Sequence, residues 1–321
     1  MRAATRMTEH VQAYLSLRRA FGFHLSIAGQ VLQSFARFAD SEATGQSFTV
    51  ELALRWAQSS STGKQVSAAR RLLLLQPFAR YLRMVEPLTD VLPNRLLGPA
   101  QYRYLPHIYT DAEIQDFLEG AAGLSPSGGL RARSVQTYLG LLACTGMRPQ
   151  EPLRLTSADV DLPANVLTVR QTKFSKSRLV PLDPTAVSAL REYARTRNRH
   201  VRYPPSAAFF LGDDGAAFTY RKALWAFQGL RRQLGWIKKQ NSPLPRLYDF
   251  RHTFVCQRLL EWQRDGVDVH VALPSLSTYL GHVKITDTYW YVTAIPDLMS
   301  TVSERFERFV WATRREQSDG Q

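Results

Sequence analysis

The stretch "YLGHVKITDTYWYVT" (279–293) brings together Tyr279, His282, Tyr289 and Tyr291. Phenol hydroxyls can serve as nucleophiles and an imidazole can donate or accept a proton, so this segment has the parts for covalent chemistry. Three earlier segments add cations. In "ACTGMRPQEPLRL", Arg148 follows a Thr-Gly break and Glu151 comes one turn later. In "RQTKFSKSRLVPL", Lys173 and Lys176 lie in a polar turn, and "PRLYDFRHTF" opens a helix with Tyr248, Arg251 and His252. Arginine presents a planar, permanently charged fork that matches the oxygens of a phosphate better than a flexible lysine does. Tyr289 and Tyr291 are two positions apart, about 200° around a helix, so both cannot point into one site.

The charge balance indicates what such a site would act on. Lys and Arg number 41 against 27 Asp and Glu, giving a net charge of +14 and a pI of about 10.1. Residues 1–105 and 106–321 each carry +7, so no basic tail accounts for the excess. Distributed Lys and Arg supply sequence-independent affinity for a polyanion, and a nucleic acid is the simplest partner. The chain shows no apolar run of the roughly 18 residues a membrane span needs. Its start, "MRAATRMTEHVQAYL", has no signal-type apolar core. Cys144 and Cys256 lack metal-ligand spacing and lie in apolar helical patterns, which predicts buried thiols in a reducing cytoplasm.

The elements that must position these groups are mostly helical. With 321 residues the chain has room for two domains. "TEHVQAYLSLRRAFGF", "AGQVLQSFARFAD", "TVELALRWAQ" and "SAARRLLLLQPFARYLRMVEP" each show helical apolar spacing, the first with Thr8 as its expected N-cap. Pro93, Gly98, Pro99 and Pro106 then break the periodicity, and Thr110 with Glu113 forms the signature of a capping box opening a new helix. This predicts a helical domain over 1–98, a linker over 99–108 and a second domain over 109–321. In the second domain, helices are expected at about 111–121 and 130–145. A hairpin of 165–172 and 177–182 follows, then a short strand in "AAFFLGDDG". Further helices are expected at about 219–235, 249–263, 274–281, 285–292 and 297–311. The fold class is therefore mainly α with a small antiparallel sheet.

The ordered set "TGMRPQE", the hairpin lysine, "YDFRHTF" and "LGH" followed by a tyrosine resembles the tyrosine recombinase (phage integrase) family, whose signature runs Arg, Lys, His-x-x-Arg, His or Trp, then Tyr. Each motif alone is weak; together they are specific and cover nearly the whole chain. The segment "LPSLSTYLGHVKITDTYWYVTAIPDL" is similar to integrases of bacterial mobile elements. The resemblance implies a helical core-binding domain followed by a catalytic domain, closing on double-stranded DNA. It implies strand transfer through a 3′-phosphotyrosyl link, with neither metal nor ATP as cofactor. By the same carry-over, Arg148 and Arg251 grip the phosphate, Lys173 protonates the leaving 5′-oxygen and His282 donates to a phosphate oxygen. Tyr291 is the nucleophile, and Glu151 and His252 are supporting residues. It further implies a homo-tetramer on paired DNA sites, with accessory recombinases or DNA-bending proteins as candidate partners, and a C-terminal helix (297–311) that docks in its own or a neighbouring protomer.

Each residue also has a plainer reading. Arg148 alone could be a surface residue after a helix stop. Lys173 is favoured over Lys176 only by its place before the turn. His252 faces a different side of its helix from Arg251 and suits packing. Tyr279 reads as a core or hairpin-contacting aromatic, Tyr289 and Trp290 as packing or DNA-facing groups. One departure stands out: Tyr248 occupies the first position of His-x-x-Arg. A neutral phenol can donate a hydrogen bond to phosphate but is a poor proton acceptor near neutral pH. Two alternatives to a recombinase therefore stay open: relaxation of the type IB topoisomerase kind, and a DNA-binding protein with reduced strand transfer.

Overall fold

The computed structural model describes residues 6–42, 47–59, 65–100, 106–126, 128–170, 177–202, 206–236 and 244–294. The chain divides into two compact units, Met1–Arg103 and Tyr104–Gln321.

The first unit contains α1 (Met7–Ala20), α2 (Ser26–Glu42), α3 (Val50–Gln58) and α4 (Gln65–Val85). Val11, Leu15, Leu32, Phe35, Leu52, Trp56, Leu75 and Phe78 come together as its core. Phe35 meets Phe48 and Trp56 edge-on, at centroid distances of 5.4 and 5.3 Å, the geometry that ring quadrupoles favour. Thr8 is not the N-cap expected from sequence. The helix starts at Met7, and Thr8 donates its hydroxyl to Asp40 on α2 instead. The Asp40 carboxylate also accepts from the Met7 and Thr8 amides, so an acid from a neighbouring helix caps α1. On α4, Arg70, Arg80 and Arg83 are exposed.

The second unit opens with α5 (Asp111–Ala122), and its capping box is present: Thr110 accepts from the Glu113 amide while Glu113 accepts from Thr110. Next come α6 (Leu130–Thr145) and a three-stranded antiparallel sheet of β1 (Val160–Asp161), β2 (Val166–Val169) and β3 (Arg178–Pro181) in that order. Leu167 pairs with Val180. Both side chains, with that of Val169, are buried. The remaining helices are α7 (Pro184–His200), α8 (Tyr220–Gln233), α9 (Asp249–Arg264), α10 (Val269–Leu280) and α11 (Thr286–Ala294).

Several expectations need correcting. Helix α7 was not anticipated, although Asp183 caps it, Pro184 opens it, and Val187, Leu190 and Tyr193 form its buried stripe. Its many arginines dilute the apolar signal. "AAFFLGDDG" forms no extended strand, only isolated bridges from Ala208 to Thr156 and from Leu211 to Ala217. Its apolar run is there because Phe209, Phe210 and Leu211 plug the core. Helix α10 begins at Val269, a turn before the expected 274, with Asp268 accepting from the His270 and Val271 amides. Cys256 is buried but Cys144 is exposed, because Leu141, Leu142 and Thr145 take the inward face of the last turn of α6. The expected helix 297–311 lies outside the described residues. Among the described residues, no helix is long and apolar enough to cross a membrane.

Candidate active site

Two glycines turn the chain where the site is built. Helix α6 ends at Gly146, with φ +59°. A Cβ there would lie 2.4 Å from Phe254 Cδ1, so both the left-handed backbone and the close approach of α9 require glycine. The turn that follows is held by Tyr138, whose hydroxyl donates to Pro149 O at 2.9 Å. Helix α10 ends the same way at Gly281, with φ +66°. These two helix ends bring carbonyl oxygens to one place, and carbonyls at a helix C-terminus attract cations.

Two arginines take up those carbonyls. Arg251, in the first turn of α9, donates to Gly146 O at 2.9 Å and to Leu280 O at 2.8 Å. Arg148 donates to Gly281 O at 3.0 Å and to Glu151 Oε1 at 3.0 Å, while its amide donates to Glu151 Oε2 at 2.8 Å. Arg148 is partly open to solvent; Arg251 is wholly buried. Among the described residues Arg251 makes no ion pair, and its Nε has no hydrogen-bond partner. Burial, followed by the charge of Arg148, pushes its guanidinium down to about 10, against the pull of Tyr248, Tyr291 and Glu151. It remains a cation at neutral pH. A buried cation with no carboxylate in hydrogen-bond contact is costly, and an arriving anion would relieve that cost.

His282 follows Gly281 directly, and its Nδ1 is 2.6 Å from Thr288 Oγ1 on α11. When Thr288 donates to Nδ1, the ring hydrogen sits on Nε2, available as a donor. Tyr291, on the same helix, is only 4% exposed. Its ring lies 5.4 Å from that of His252 and 5.1 Å from that of Trp290. Tyr289 points elsewhere: it is 37% exposed and lies 6.2 Å from His270. The structure thus separates the two tyrosines as helical geometry demands. Tyr248 stands at the N-cap position of α9, 40% exposed, with its ring 5.2 Å from His252. His252 therefore lies between Tyr248 and Tyr291, on a different side of α9 from Arg251. Tyr279 stacks on Phe254 at 5.7 Å. Lys173 falls outside the described residues. Among the described residues, no cluster of three or more His, Cys, Asp or Glu side chains could hold a metal ion.

One residue of this network was not singled out in the sequence. Arg178, on β3, grips Glu151 with both terminal nitrogens, at 3.0 and 2.8 Å, and donates through Nε to Tyr279 O at 2.8 Å. Its sequence signal is slight: a single arginine just after a segment rich in lysine.

Residues 110–296 match the Phage integrase family. The chain belongs to that family. A putative integrase/recombinase of Sinorhizobium fredii is 37% identical over 302 residues, spanning 93% of this chain and 96% of the relative. Tyrosine recombinase XerD of Mycobacterium leprae is 31% identical over 253 residues, spanning 77% and 73%. The fold is similar to that of the Tn1549 transposon integrase in complex with transposon right end DNA, with a TM-score of 0.64 at 18% identity, covering 94% of this chain and 99% of that one. It is also similar to the XerH site-specific recombinase bound to a palindromic difH substrate, with a TM-score of 0.64 at 18% identity, covering 94% and 85%. As a tyrosine recombinase of the phage integrase family, the protein is an enzyme of DNA cleavage and rejoining.

The electrostatics of this integrase site lead to an expected pH dependence. Burial, then the charges of Arg251 and Arg148, push the His282 imidazole down to about 4. Burial does the same to His252, also to about 4. Both are neutral at pH 7. An unfolded histidine titrates near 6.5, so the unfolded chain takes up protons first as pH falls from there towards 4. More protons bound to the unfolded state means stability is lost over that window. Thermal melts should therefore drop more between pH 7 and pH 5 for the wild-type chain than for a His252→Gln, His282→Gln double variant. Equal drops would remove these imidazoles as the cause.

Proposed function

We propose that the protein is a site-specific recombinase of a mobile element that cuts and rejoins DNA through a 3′-phosphotyrosyl intermediate. The observation that carries this reading is the convergence of Arg148, Arg251 and the Gly281–His282 turn on one spot, where the buried Arg251 cation makes no ion pair among the described residues and lies close enough to Tyr291 to feel its charge. A phosphodiester is the anion such a site suits. In the reaction, the Tyr291 hydroxyl oxygen attacks phosphorus and its proton passes to water. The bond from phosphorus to the 5′-oxygen breaks, and Lys173 protonates the departing oxygen. Negative charge grows on the non-bridging oxygens, where the guanidinium forks and the His282 donor act. Attack by another strand's 5′-hydroxyl on the phosphotyrosine restores the diester and frees Tyr291. Because Tyr291 is buried here, its side chain or α11 shifts when a scissile phosphate is engaged.

The first unit serves as the DNA-gripping domain in this reading, with exposed Arg70, Arg80 and Arg83 supplying backbone contacts. Four protomers assemble on paired sites, because exchange needs two duplexes cut together. A nicked suicide substrate tests the proposal: the wild-type chain should accumulate a covalent 3′ adduct and exchange strands between two duplexes. Relaxation of supercoils without exchange would point to topoisomerase-like work, and binding without any adduct would sink the strand-transfer reading.

Tyr248 offers a separate check, being half-exposed at the start of α9. Its hydroxyl donates to the phosphate in place of the imidazole common at this position. Tyr248→Phe should slow cleavage by about 10- to 10²-fold, at or below the low end of the roughly 10²–10³-fold seen for a lost donor at a developing oxyanion, since the half-exposed phenol leaves room for water to take its place. DNA affinity should stay the same, and Tyr248→His should be tolerated or mildly activating. Wild-type cleavage by Tyr248→Phe would show that the hydroxyl has no part in phosphate contact.

A further inference from the structure

The mechanism above leaves Arg178 without a task, yet it is one of the most fully engaged side chains near the site. Its side chain is 11% exposed. It lies against Gly281, where an added Cβ would be 3.2 Å from both its Cδ and its Nη1. Three contacts fix its fork: Nη1 to Glu151 Oε1 at 3.0 Å, Nη2 to Glu151 Oε2 at 2.8 Å and Nε to Tyr279 O at 2.8 Å. It begins β3, the strand after the segment carrying Lys173, and so ties that strand to the end of α10.

The consequence lies in how Glu151 is shared. Oε1 receives Nη1 of both Arg148 and Arg178, while Oε2 receives the Arg148 amide and Arg178 Nη2. Both oxygens are thus saturated. Arg148 can place only one of its side-chain nitrogens on this carboxylate, and its other terminal nitrogen goes to Gly281 O. Without Arg178, a carboxylate and a guanidinium so placed would close into the two-bond fork that they prefer. Arg148 would then be turned from the site, and the local cluster would fall from one net positive charge to none. Burial would push the Glu151 carboxyl up, but the hydrogen bond and charge of Arg178, with help from Arg148, hold it below the usual range. Glu151 therefore stays an anion able to capture Arg148.

We propose that Arg178 is a positioning residue for strand cleavage: by occupying Glu151 it keeps Arg148 from a complete ion pair and holds its guanidinium towards the scissile phosphate. This rests on the reading that Arg148 contacts that phosphate. Arg178 itself touches no reacting atom.

Three variants and two substrates test it, with single-turnover cleavage of a nicked duplex as the readout. R178A should cleave about 10²-fold more slowly, the scale of one lost oxyanion donor, with DNA affinity within about threefold of wild type. E151Q/R178A, which removes the captor as well, should recover at least about tenfold of that loss. A purely structural role predicts the opposite, since the double variant has lost more contacts. On a substrate with a neutral methylphosphonate at the scissile position, the R178A defect should shrink to a few-fold, because there is less charge for Arg148 to meet. Should R178A fail to fold, R178K keeps the cation without the fork and should show the same substrate dependence in weaker form. Equal defects on both substrates with no recovery in the double variant would overturn the proposal, as would wild-type cleavage by R178A. A crystal structure of R178A decides the placement independently of catalysis: both terminal nitrogens of Arg148 should lie on Glu151, and an unmoved Arg148 overturns the proposal. A wild-type chain that forms no adduct instead counts against the recombinase reading above, and the crystallographic result still stands.

Discussion

Tyr291→Phe should form no covalent adduct on a suicide substrate while binding the same DNA within about twofold. The change removes a single oxygen, and the ring that packs on His252 and Trp290 stays in place, so the fold should be untouched. Without the hydroxyl no phosphotyrosine can form, and the loss should be complete. Tyr289→Phe is the matched control. That side chain faces away, beside His270, and its variant should attach to DNA as wild type does. A dead Tyr289 variant with an active Tyr291 variant would mean that α11 engages DNA in a different rotation.

The arginines come next in expected effect. Arg148→Ala and Arg251→Ala should each lower the cleavage rate by about 10²–10³-fold or more, because in the proposed mechanism each is a charge-assisted donor where negative charge develops. The two should differ in stability. Arg148 is partly exposed and one of its partners, Glu151, keeps Arg178, so its loss should leave the melting temperature nearly unchanged. Loss of Arg251 strips the donors from Gly146 O and Leu280 O, at roughly 1–3 kcal/mol for each buried acceptor left unpaired. Relief of the desolvated charge offsets part of this. Arg251→Gln keeps an amide for one of those carbonyls and removes the charge, so it separates the effects: cleavage should be lost as in the alanine variant, with a smaller change in melting. Near-normal cleavage by either arginine variant would remove that residue from the site.

Much of this was legible before any coordinates. Helical periodicity, the Thr110–Glu113 capping box and the β2–β3 hairpin are written in local spacing, and local spacing is what a sequence displays directly. The tyrosine question was half answered the same way, since two positions on one helix cannot share a face. The family signature then selected Tyr291, and the structure places that side chain inward and Tyr289 outward. The misses have two causes, a partner distant in sequence and an apolar stripe too short to stand out. Thr8 was passed over as a cap because Asp40, from another helix, already serves the amides it would have taken. Helix α7 hid behind its own arginines, its apolar stripe being short.

The residue types, their order and the basic surplus belong to the sequence alone, because chemistry of side chains and net charge need no fold to be counted. Which groups share a carboxylate or a carbonyl belongs to the tertiary structure. Glu151 meets Arg148 within its own turn, an expectation that spacing supports, but it meets Arg178 only because β3 passes the end of α10. Among the described residues Arg251 makes no ion pair and is held instead by carbonyls from Gly146 and Leu280, far along the chain in both directions. Hydrogen bonds to backbone oxygen leave no trace in residue identity, since every residue carries the same carbonyl. That is why the sequence could nominate Arg148, Arg251, His282 and Tyr291, while only the folded chain shows which carbonyls hold the arginines and that Arg178 shares Glu151 with Arg148.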